Sequence, residues 1–133
     1  MIREDLEKLS ADLEKEADAI QQFLEIEPSG DANELVDRLN MLNVFLARSA
    51  KMLADAKRVL DYKRADAIER YGLMISQMAK SVQPKMLEAK TADANYLVNW
   101  IERINKTIVH QGDNIRTQVS FEKESLRLTK SGY

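Results

Sequence analysis

Few residues in this chain have the types and spacing that would let them do chemistry together. His110 is the only histidine, and no Glu-x-x-His or His-x-x-x-His spacing surrounds it, so a histidine-based metal pair is not expected. Ser120 follows ten residues later. On one helix that separation is about 80° in phase and about 15 Å along the axis, which rules out a nucleophile–base pair between the two. The absence of cysteine removes disulfides, thiolate metal sites and cysteine nucleophiles together. Carboxylates are abundant, but at the spacings any solvated helix displays, and no glycine-rich phosphate loop occurs. The expectation is a protein that is not an enzyme and holds no metal or cofactor.

One cluster points to a different kind of chemistry. Lys57, Arg58, Lys63, Arg64 and Arg70, with Tyr62 and Tyr71 between them, have the residue types of a face that tracks a nucleic-acid backbone. Asp55, Asp61, Asp66 and Glu69 dilute that charge, so a solvated helix face laced with ion pairs is the favoured reading and nucleic acid the alternative. Arg116, Lys123, Arg127 and Lys130 near the C-terminal end admit the same two readings.

The elements that must carry these residues are helices. Ala, Glu, Lys, Leu and Arg make up 61 of the 133 residues, while there are only four glycines and two prolines. Sandwiches, barrels and nucleotide-binding α/β folds need more turn and β-branched residues than this. The length suits one domain. Net charge is −2, with no global signature for nucleic acid or anionic membrane. Its distribution is uneven: residues 1–31 carry three bases against ten acids, whereas 32–83 carry nine against six and 84–133 eight against six. Packing of the acidic segment against the basic remainder follows. No signal-like start and no apolar run of about 18 residues is found, so the expectation is a cytoplasmic protein outside the membrane.

Apolar residues define three seams. Ile2, Leu6, Leu9, Leu13, Ala17, Ile20 and Leu24 share one face of a helix over about 3–26, which Pro28 and Gly30 end. Asp31 with Glu34 reads as an N-cap and its capping-box partner, opening a second helix over about 32–70. Leu35, Leu39, Leu42, Leu46, Ser49, Leu53, Ala56 and Leu60 form its heptad seam, flanked by Phe45, Met52 and Val59. Gly72 reads as a break, with a short helix or a turn over 73–82. Pro84 suits the first turn of a third helix over about 84–128, with a seam of Leu87, Ala94, Leu97, Ile101, Ile104, Ile108 and Ile115, continued by Val119 and Leu126. Gln111 and Gln118 stand at positions where apolar residues are expected, so that end is either wetter or held by polar pairs that fix register.

The fold class that follows is all-α: an elongated antiparallel three-helix bundle or coiled coil, one helix short and two long. Short connections make neighbours antiparallel. The first helix would then cover the second from 31 to about 55, leaving the hairpin over about 56–104 with only two helices. Two helices leave one side of their seam in water, which predicts a homo-oligomer or a protein partner there. Val59, Leu60, Met74, Met78, Met86, Tyr96 and Trp100 are the candidate contacts. Tyr96 and Trp100 admit a second reading, as the cover of the chain's own core.

Asn99 to Lys106 and Arg116 to Glu124 resemble stretches of small uncharacterised helical proteins of phage and prophage genomes, over about a third of the chain. The resemblance implies an accessory role and no particular activity. Together these readings describe a helical interaction protein that associates with itself and with another macromolecule, the alternative being a nucleic-acid accessory protein using the basic face of the second helix.

Overall fold

The computed structural model describes residues 3–130, and the predicted seam position Ile2 lies outside them. The protein is all-α, with four helices and no strand among the described residues: α1 (Arg3–Glu25), α2 (Ala32–Ser76), α3 (Gln83–Lys90) and α4 (Ala92–Lys130).

α1 buries Leu6, Leu13, Ala17, Ile20 and Leu24, the face expected from their spacing. Residues 26–31 leave the helix around Pro28, and Asp31 caps α2 by accepting from the Glu34 backbone N–H at 3.4 Å. The reciprocal half of the capping box goes elsewhere. Ser29 Oγ donates to the Glu34 carboxylate and accepts from the Asp31 backbone N–H.

α2 runs through Gly72 rather than stopping there, and ends at Ser76. A Cβ at Gly72 would meet only Ile68 Cγ2, at 3.7 Å, so the helix continues there at the modest propensity cost of a glycine. Residues 77–82 form the turn, where the Gln83 amide donates to the Met78 carbonyl at 3.0 Å. The short helix therefore lies at 83–90, with Pro84 in its first turn. The long third helix expected from Pro84 is interrupted at Thr91. Its hydroxyl donates to the Leu87 carbonyl at 3.0 Å and its backbone N–H to Glu88 at 3.2 Å, replacing the α-helical bond to Leu87.

The core is drawn from α1, α2 and α4. Along α2 the buried line is Leu35, Leu42, Ser49 and Ala56 together with Met52, Val59 and Leu60. Leu39, Leu46 and Leu53 are half-buried at its edge, so the stripe is rotated toward the flanking row read from the sequence. α4 runs antiparallel to α2, joined by Asn105 to Ser49 and Arg38 to Gln111.

The first helix is displaced from its expected position. Glu16 meets Arg48 and Phe23 packs edge-on against Phe45, with centroids 5.0 Å apart. This register carries the start of α1 to Tyr62–Tyr71 of α2, where Arg3 and Leu6 line a cleft with Ala67, Tyr71 and Lys90. The connection over 26–31 takes up the shift. As a result α1 covers much of the hairpin that was expected to be bare.

Candidate interaction surfaces

The displacement of α1 decides where a partner can reach. Val59 is 0% exposed and Leu60 5%, both inside the core, so neither is a contact for another molecule; the two-helix ribbon expected over 56–104 is corrected accordingly. Trp100 is half-buried against the core and donates its indole N–H to Gln21 Oε1 at 3.1 Å, across the α1–α4 seam. It covers the chain's own core. Tyr96, one turn earlier, is exposed, its ring 6.3 Å from that of Trp100. Met74 is exposed, and Met78 and Met86 are half-buried around the 77–82 turn. The seven candidate contacts therefore do not form one surface.

Nor do the five basic residues of α2. At about 100° per residue, Lys57 and Arg64 share one side, Arg58 stands about 100° away, and Lys63 and Arg70 lie on a third side, facing the α1–α3 cleft. Arg64 pairs with Asp61 at 3.9 Å and Arg70 with Asp66 at 3.1 Å. Lys90 lies 4.3 Å over the Tyr71 ring. Spread over three sides of α2, the five do not make one continuous stripe.

The uncovered surface is at the end of α4, and the sequence analysis did not select it. Every residue from Ser120 to Thr129 is exposed. The antiparallel register explains this: with Gln111 opposite Arg38, the helix passes the start of α2 at about residue 120. Phe121 is 76% exposed, Leu126 59% and Leu128 46%. Phe121 and Leu126 border a cleft of about 450 Å³ with Leu35 and Gly30 at its inner end. Arg116, Lys123 and Arg127, seven and four residues apart, form a basic stripe along one side of this segment, with Arg116 held by Asp113 at 3.1 Å and Arg127 by Glu124 at 2.6 Å.

A second place the sequence reading passed over is Arg38. It is 8% exposed and donates from Nη2 to Gln111 Oε1 at 2.9 Å, while the Gln111 amide donates to the Leu24 carbonyl at 2.9 Å. Gln111 is thus a register-fixing polar pair, whereas Gln118 is exposed. The signal was available: Leu35, Arg38 and Leu42 follow the 3–4 spacing of a buried stripe, with a cation in the middle. Burial lowers the Arg38 pKa from the ordinary arginine value.

His110 and Ser120 are both exposed, and no group of three or more metal-ligating side chains occurs among the described residues. No helix is long and apolar enough to cross a membrane among the described residues. No protein-family model matches the chain, and no curated protein or solved structure is significantly similar to it.

Proposed function

We propose that the chain is a non-enzymatic helical interaction protein that associates with a second copy of itself through the end of α4, and in that state engages another macromolecule. The observation that carries this reading is the exposed apolar segment formed by Phe121, Leu126 and Leu128 on the last turns of α4, which run past the start of α2. Such a segment buries its apolar area only by association. A second copy suits it because the same chain supplies the opposite charge. The outer face of α1 exposes acids such as Asp5, Asp12 and Asp18, which complement the stripe of Arg116, Lys123 and Arg127. In this reading the helices form an elongated antiparallel bundle whose ends are the sites of assembly, and the resemblance to small phage and prophage proteins supports an accessory role.

Absolute mass by light scattering, over a concentration series, tests the proposal on the wild type and on a Phe121→Glu, Leu126→Glu variant. Both substitutions fall on exposed positions, so the helical circular-dichroism signal is expected to persist. A wild-type dimer that becomes a folded monomer in the variant supports the reading. A wild-type monomer at every concentration, or a variant that still dimerises, overturns it.

A further inference from the structure

A guanidinium taken out of water is normally offset by a carboxylate, because an uncompensated buried charge is costly. Arg38 lacks that offset. Among the described residues no carboxylate pairs with it, its Nε is shielded from water and has no acceptor, and its partners are the neutral Gln111 amide and the Phe23 ring, 4.1 Å away. Arginine stays protonated at neutral pH even when burial lowers its pKa. The structure thus holds a fixed positive charge inside the fold, and that charge borders a cleft of about 350 Å³.

The cleft lies between the 26–31 connection and residues 111–118 of α4. Its walls combine the side chains of Asn114 and Gln118, which can hydrogen-bond a ligand, with apolar Ile26, Pro28 and Ile115. An arginine beside neutral hydrogen-bonding groups and apolar side chains is how proteins receive one oxyanion on a small apolar body. Glu25 and Glu27 also line the cleft, both exposed and neither paired with Arg38. Their charge opposes any anion, and a dianion about twice as strongly as a monoanion. We infer that this cleft is a binding site for a small monocarboxylate, whose carboxylate is received by Arg38 and whose apolar part lies against Ile26, Pro28 and Ile115.

The site does not depend on self-association, since every group named comes from one chain. Sodium hexanoate, titrated into the full chain at constant ionic strength and followed by the amide resonances of 26–30 and 111–118 and the Arg38 Nε–H resonance, tests it. Saturable shifts are expected, weakened at least about tenfold in Arg38→Met, as for loss of a charge-assisted bond. Arg38→Lys keeps the charge without the planar fork and is expected to bind more weakly than wild type, which keeps the test informative if Arg38→Met does not fold. Glu27→Gln is expected to bind hexanoate more tightly. Shifts absent in the wild type, or unchanged in both Arg38 variants, overturn the site. Inorganic phosphate binding as tightly as hexanoate overturns the assignment to a monocarboxylate. A Glu27→Gln protein that loses thermal stability without ligand and gains no affinity would show that Glu27 is the counter-ion of Arg38 in solution, and would also overturn it.

Discussion

Asn105 on α4 donates its amide to the hydroxyl of Ser49 on α2 at 2.9 Å, and Ser49 in turn donates to the Leu46 carbonyl at 3.1 Å. Ser49 is fully buried, at a heptad position among Leu42, Met52 and Ala56. A polar pair at such a position sets the register of the two long helices, because sliding by a turn would bury the hydroxyl against an apolar side chain.

Ser49→Ala is expected to destabilise the protein by about 1 kcal/mol, with a similar loss in Asn105→Ala. The double variant should lose less than the two single losses added together, giving a coupling energy of about 0.5–1.5 kcal/mol in urea unfolding. Strict additivity would show that the bond does not contribute in solution.

The core and the turn should respond very differently to truncation. Ile101→Ala removes a side chain that is 0% exposed and packed among all three core-forming helices, and is expected to cost about 2–5 kcal/mol. Met74→Ala, at an exposed position near the end of α2, should stay within about 0.5 kcal/mol of wild type. Guanidinium unfolding midpoints of the two variants check the contrast.

Arg48 links α2 to the Glu16 carboxylate of α1, with a second bond from Nη2 at 2.7 Å. Its pKa is raised chiefly by the hydrogen bond to Glu16. A base held above its unfolded value stabilises the fold at every pH below that value, and loses the effect only as pH climbs through the raised one. The Arg48 contribution is therefore constant through the neutral and mildly alkaline range. Both side chains are partly solvated, so Arg48→Ala is expected to cost about 1 kcal/mol or less. The difference from wild type should shrink in high salt; thermal unfolding in low and high salt measures this.

Most of the helical layout was legible in the sequence, because leucine and isoleucine spacing and the Asp31 cap are local signals. What was not legible was longitudinal register. The six apolar positions from Leu6 to Leu24 are compatible with several placements along α2, and the choice is made by contacts between distant residues: Phe23 on Phe45, Glu16 with Arg48, Trp100 with Gln21. A displacement of a few turns buried Val59 and Leu60, while Phe121 and Leu126 are exposed because α4 runs past the start of α2, so the candidate surface moves from the middle of the hairpin to its end. Arg38 was missed for a related reason. Its position between Leu35 and Leu42 marks the buried stripe, but a cation there is ordinarily assigned to the solvated flank, and the Gln111 and Phe23 contacts are what hold it inside.

Gly72 offers the sharpest test of where α2 ends. If the helix ran only to about residue 70, Gly72 would belong to a turn, and alanine there would gain nothing or strain the backbone. In a helix that continues to Ser76, an added methyl meets only Ile68 Cγ2 at ordinary van der Waals distance, and the unfolded chain loses conformational freedom. Gly72→Ala is therefore expected to stabilise the protein by about 0.5–1 kcal/mol and to slow amide exchange over 68–76. A lower melting temperature in this variant would place the end of the helix before Gly72, and would free Met74 and Met78 from the positions described above.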